Sequence, residues 1–302
     1  MSDLSPDALP AGPPRYTRRT LGRRVAVVAG LLGLTPASGA TEIPRVPGSG
    51  APARSTPAQG AQATAAAVPF DATPDRVVDI HATLDHPQGI EASADGATWW
   101  ISAVHRPRRV GLLAACDAAT GQVRRLVEVQ RGDRYHPGGL SRAGAHLWMP
   151  VAEYRRQSSS TIQCRDGVTL DLVQSFDVGD HIGCLATDGP RLVGANWDAR
   201  TFYAWTPEGR EVDRRPNPTE ARYQDLKWSG SRLLAGGLLG DEGVIDLLSW
   251  PSLVLERRWR TGRTDRGVVL THEGLAATST ALLLMPEDDP VRVFVYPRPA
   301  GL

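Results

Sequence analysis

His86-Pro87-Gln88-Gly89-Ile90, His136-Pro137-Gly138-Gly139-Leu140, His181-Ile182-Gly183-Cys184-Leu185 and His272-Glu273-Gly274-Leu275 are versions of one short phrase. A degenerate copy, Tyr223-Gln224-Asp225-Leu226, falls before the last of them. The closing hydrophobes Ile90, Leu140, Leu185, Leu226 and Leu275 lie 50, 45, 41 and 49 residues apart. A period of roughly 40–50 residues built from short strands marks propeller blades. Within the first copy, strands are expected at 89–93, 99–104, 111–117 and 123–129, with a turn at Asp117-Ala118-Ala119-Thr120-Gly121. The third copy has a weak fourth strand, and the last copy runs out of chain after 291–296. Residues 76–84 are expected to supply its missing strand, which leaves no free edge. The reading is therefore all-β: a five-bladed β-propeller of four-stranded antiparallel blades, closed by pairing strand 76–84 with the C-terminal blade. Trp100, Trp148, Trp205, Trp228 and Trp250 fit as packing between blades.

The chain has 302 residues, with 34 basic and 33 acidic side chains. That balance argues against nucleic acid as a partner, because such binders carry a basic excess. Thr17-Arg18-Arg19-Thr20-Leu21 followed by the apolar run 25–34 reads as a twin-arginine export signal, with Ser38-Gly39-Ala40 as its cleavage point. The apolar run is too short for a membrane span, which needs about 20 residues, and no later run is longer. Residues 41–70 are Ala- and Pro-rich with few large apolar side chains, so they are expected to be a disordered linker. The domains are thus 1–40 signal, 41–70 linker and 71–302 propeller, in a protein exported to the periplasm or beyond, with a monomer as the default. Three cysteines make no disulfide framework. Cys164 and Cys184 are left as a bridge or as buried thiols.

The repeat also places chemistry. The start of each first strand lies beside the end of the second, on one face of the propeller. His86, His136, His181 and His272 therefore converge around one axis as candidate metal ligands, since neutral imidazole suits divalent transition metals. Glu153, Asp198, Asp225 and Glu273 are candidate bases or orienting groups. Arg155, Asn196, Trp197, Arg200 and Gln224 are candidate ligand contacts, the arginines through bidentate pairing to an anion. Glu287 and Asp288 fall at the end of a second strand on that same face, but read as solvated loop residues. Serine-hydrolase, zincin and nucleotide-binding signatures are absent from the sequence.

The HPxG phrases, the Ala152-Glu153-Tyr154-Arg155 and Asn196-Trp197-Asp198-Ala199-Arg200 segments, and His272-Glu273-Gly274-Leu275 resemble an uncharacterised family of secreted bacterial β-propeller proteins over residues 75–297. The resemblance implies fold and export, not an activity. The repeat is loosely similar to gluconolactonase-like and virginiamycin-lyase-like propellers, which hold a divalent cation on the channel axis. Their full ligand pattern is missing here, so no catalytic role carries over. Two functions stay open: a metal-dependent hydrolase, lyase or oxygenase acting on a small polar molecule, and a non-catalytic module binding a ligand or protein at the same face.

Overall fold

The computed structural model of the protein describes residues 66–302. The expected export signal and most of the expected linker lie outside the described residues. Two short strands, β1 (Ala67–Pro69) and β2 (Arg76–Asp79), precede the first blade. Blade 1 is β3 (His86–Ala92), β4 (Thr98–His105), β5 (Val110–Asp117) and β6 (Val123–Glu128). Blade 2 is β7 (Arg134–Pro137) and β8 (Ser141–Ala143), which share the innermost position, then β9 (His146–Glu153), β10 (Ser160–Asp166) and β11 (Leu172–Val178). Blade 3 is β12 (Ile182–Thr187), β13 (Leu192–Asn196), β14 (Thr201–Trp205) and β15 (Glu211–Pro216), so the weak fourth strand does form. Blade 4 is β16 (Arg222–Ser229), β17 (Arg232–Leu239), β18 (Glu242–Ser249) and β19 (Leu255–Thr261). Blade 5 is β20 (Gly274–Ala277), β21 (Ala281–Met285) and β22 (Arg292–Pro297), completed by β2.

The pairing of β2 with β22 is antiparallel, with Val78 opposite Val293. This strand is shorter than the expected 76–84. The backbone of Ile80 still donates to Val291, but His81 bridges to Gln122 on blade 1 instead. Ala67–Pro69 falls inside the stretch expected to be disordered, yet β1 runs parallel to β19 as a fifth strand of blade 4. Phe70 then packs edge-on against Tyr296 at 5.0 Å. Covering the outer edge of β19 gives this segment hydrogen bonds that its composition alone did not promise.

Apolar clusters fill the spaces between blades. The one joining Ile90, Trp99 and Ile101 of blade 1 to Ala276, Leu283 and Met285 of blade 5 closes the ring. Trp100, Trp148 and Trp205 are buried in these clusters, and Trp228 and Trp250 pack partly buried against another. Cys116, Cys164 and Cys184 are buried free thiols.

Strand alternation explains the innermost layer. The residues just before the phrase hydrophobes are Gly89, Gly139, Cys184, Asp225 and Gly274, and they meet at the axis. A Cβ on Gly89 would lie 2.6 Å from the Gly139 Cα, and one on Gly139 only 2.5 Å from Asp225 Oδ1. Small residues on four blades leave room for a single larger side chain, that of Asp225.

Closure offers a direct test. Gly121 has φ +73°, and a Cβ there would sit 1.9 Å from the Asp79 carbonyl oxygen, at the point where β2 crosses from blade 5 to blade 1. Gly121→Ala is expected to lower stability by about 1–3 kcal/mol from overpacking, on top of a left-handed backbone cost of about 1–2 kcal/mol. Gly132→Ala, at φ +61° with open space around it, carries only the left-handed backbone cost of about 1–2 kcal/mol. Urea midpoints that rank the two variants the other way would remove this account of closure.

Candidate functional site

One end of the axis opens into a cavity of about 210 Å³. Its lining brings together all four phrase histidines, His86, His136, His181 and His272, with Glu273, Gln224, Asn196, Trp197 and Asp198. Gln88, Tyr154 and Glu287 complete the parts of the wall discussed below. That space is enough to hold a small polar molecule.

On one side of the cup, His86, Glu273 and Glu287 place one potential ligand atom each within 4.8 Å of the others. Gln88 Nε2 donates to His86 Nε2 at 2.9 Å, which leaves His86 Nδ1–H to donate to Glu287 Oε1 at 2.6 Å. Gln88 Nε2 also reaches Glu273 Oε2 at 3.1 Å. His272 Nδ1 stands 3.5 Å from Glu287 Oε2, and the Arg106 guanidinium caps Glu287 from the rim. These contacts split the two carboxyls. The His86 hydrogen bond holds Glu287 down to about 2, with burial pulling the other way. Burial, reinforced by the Glu287 charge, pushes Glu273 well above the usual carboxylate range.

The other side is aromatic. Tyr154 stacks on His136 at 4.4 Å with their planes 23° apart, and Trp197 lies nearly parallel to His136 at 6.1 Å. His181 meets Trp197 edge-on at 4.5 Å and lies 5.3 Å from His136, centroid to centroid. Burial depresses both imidazoles, His136 most strongly, with repulsion from His181 and His86 adding to the effect on His136. Trp197 owes its place to a 3-10 turn, Trp197–Ala199, in which Asp198 and Ala199 both have positive φ, 60° and 51°. Consecutive non-glycine residues in this region are strained and cluster at functional sites.

Several expected site residues lie elsewhere or are already paired. Glu153 is held by Arg155 and Ser159, and with Arg155 it lines a separate depression on the surface. The reason is local: Arg155, two residues after Glu153, pairs with it at the surface. Arg200 donates to the carbonyls of Asp198, Thr219 and Ala221, so it braces the strained turn and stays out of the cavity. Asp225 is fully buried beneath the cup. It accepts from the backbone of Ile90 and Leu275 at 3.2 and 3.1 Å and from Lys227 Nζ at 2.6 Å. Asp198 lines the cavity but pairs with Arg156. The Asn196 side chain is already committed to Asp180 and Thr201.

Glu287, read from sequence as solvated, is instead drawn into the cup. Its loop is pinned by Arg266, which donates to the carbonyls of Asp289 and Pro290, and by Arg292, which donates to Asp288 at 2.7 Å. Its signal is positional: it follows the second strand of its blade by two residues, on the face where Glu153 and Asn196 end theirs. Tyr154 follows the end of β9 in the same way, whereas Gln88 lies inside β3, two residues after His86.

A five-bladed propeller with a histidine- and carboxylate-lined cup at one end of its axis is the class that fold and site define. Residues 108–216 match a family of unknown function (DUF6454), less than half of the chain. No curated protein matches the chain. Among solved structures, the glutaminyl cyclase of Myxococcus xanthus is similar at 15% identity and TM-score 0.57, over 76% of this chain and 97% of that one. At that identity the likeness concerns the fold alone. The Pan2 WD40 domain of Neurospora crassa is 11% identical with TM-score 0.44, over 72% of this chain and 64% of that one. Kuenenia stuttgartiensis hydrazine synthase is 16% identical with TM-score 0.43, over 68% of this chain and 57% of that one. Among the described residues no helix is long and apolar enough to cross a membrane.

Proposed function

We propose that this propeller binds a divalent transition metal in its cup and, with it, a small polar molecule that it hydrolyses, cleaves or oxidises. The observation that carries the reading is the group His86, Glu273 and Glu287, with ligand atoms within 4.8 Å of one another at the wall of a cavity sized for a small ligand. An imidazole with two carboxylates is a common donor set for a catalytic divalent ion, and Gln88 and Arg106 stand behind it as orienting groups. A metal held there would polarise a carbonyl or activate a water. Gln224 and Trp197 then face the bound molecule. The protein acts outside the cytoplasm on this reading, which rests on the twin-arginine pattern and apolar run of residues 17–34.

One observation favours a second reading, a binding cup without metal. Both ring nitrogens of His86 already have partners, Glu287 and Gln88, and such a closed network needs no ion.

Elemental analysis separates the two. The full chain, purified without chelator, is expected to carry at least one transition metal per molecule. Glu287→Gln is expected to weaken binding at the carboxylate group by more than the 10–100-fold typical of outer-sphere substitutions. A metal-free wild-type protein that also fails to take up added Zn2+ would sink the metal reading and leave the binding cup.

A further inference from the structure

Outside the carboxylate group, the cup contains a second set of uncommitted ligand atoms. His136 is only 7% exposed, and its buried Nδ1 has no hydrogen-bond partner among the described residues. Stacking on Tyr154 and Trp197 holds the ring, and stacking commits neither nitrogen. A neutral imidazole carries one N–H and one lone pair. Leaving such a group buried and unpaired costs about 1–3 kcal/mol, so the position is built for something that pairs with it. His181 stands beside it, with ring centroids 5.3 Å apart. Its Nδ1–H donates to the backbone carbonyl of Arg155 at 2.9 Å. That bond orients the ring and leaves the Nε2 lone pair free, the arrangement in which metal-ligating histidines are usually held.

We propose that His136 and His181 form a second metal position, a two-imidazole site beside the His86, Glu273 and Glu287 group, and that the working cup is binuclear. The inference rests on the metal reading of the cup and adds the second ion to it. The two positions differ in chemistry. The first is rich in carboxylate oxygen, while the second offers only nitrogen in an aromatic surround, which suits Zn2+ or Cu2+ over harder ions such as Mg2+. The two positions adjoin, since the His86 ring of the first lies 6.1 Å from that of His136. Paired metals at close range hold both the attacking and the leaving oxygen of a hydrolytic step, which makes hydrolysis the best match among the open chemistries.

The test uses the full chain and metal alone. Zn2+ titration of apo protein is expected to reach about two equivalents, as binuclear sites require. His136→Gln with His181→Gln is expected to lose one equivalent and keep the other, while Glu287→Gln loses the complementary one. Because these variants can perturb folding, the wild-type protein supplies a second measurement. Cu2+ bound at the second position is expected to show nitrogen couplings from two imidazoles in its paramagnetic resonance spectrum. One equivalent that survives the double histidine variant, without the two-nitrogen signature, overturns the second site and leaves the first standing. One equivalent lost only in the histidine variant supports the imidazole site and overturns the carboxylate one. No uptake at all overturns both.

Discussion

Lys227→Met is expected to lower the stability of the propeller by about 3–5 kcal/mol, the range for removing one partner of a buried ion pair. Lys227 is the only lysine in the chain, and it sits at the centre of the ring. Its ammonium donates to Asp225 at 2.6 Å, to the Leu140 carbonyl at 2.7 Å and to the Leu226 carbonyl at 3.1 Å. Asp225 in turn accepts from the backbone of Ile90 and Leu275. These two side chains therefore tie together the innermost strands of blades 1, 2, 4 and 5. Burial pushes the Asp225 carboxyl up, to about 7, with the Lys227 charge and the N–H donors pulling against it. Removing the ammonium leaves that carboxyl and the Leu140 carbonyl without their main partner in a space closed to water. Asp225→Asn with Lys227→Met is expected to cost less than the sum of the single changes, because the two side chains act as a unit. Urea unfolding of the three variants measures this. A Lys227→Met protein within about 1 kcal/mol of wild type would show that the axial pair is not a clamp.

Acid is expected to destabilise the protein through its neutral histidines. Burial holds the folded-state pKa of His136 well below 6.5 and lowers that of His181. In the unfolded chain both bind protons near pH 6.5. Below that pH the unfolded state takes up protons that the folded state refuses. The stabilising contribution is thus complete above pH 6.5 and falls as pH drops toward the folded-state values, by up to about 1.4 kcal/mol per pH unit for each histidine. Glu273 works in the opposite sense. Its raised folded-state pKa means that it gains stability as pH falls toward the ordinary glutamate range. The histidine share is isolated by comparing wild type with His136→Gln at pH 7.5 and pH 5.5. The variant is expected to lose less stability between the two. Equal losses would mean that His136 is protonated in the folded state or that acid unfolding starts elsewhere.

Much of the architecture is legible along the chain. Alternation and turn residues place β4 and β5 within a residue or two of their expected positions, and the repeated phrase leads four histidines to one cavity. The failures share a cause. Asp225 was read as a site residue because it stands in the phrase where other blades carry histidine nearby. Aligned on the closing hydrophobe, it matches Gly89, Gly139, Cys184 and Gly274, the position that faces the axis. Glu153, Arg155 and Arg200 were assigned by face alone, and near neighbours claimed each of them first. Glu287 falls on the right face in the sequence, but a single carboxylate in a loop carries too weak a signal to separate it from solvated neighbours.

The sequence by itself determined what is local and periodic: strands with one face inward, five copies of them, and a histidine at the start of three. Those properties follow from the twofold alternation of a strand and from a spacing that repeats down the chain. Only the tertiary structure decided which polar groups meet. His86 and Glu287 are 201 positions apart, and Asp225 receives the backbone of strands 135 positions before it and 50 after it. Such pairings depend on how closely the innermost strands approach at the axis. That approach is set by glycines on some blades making room for a charged side chain on another.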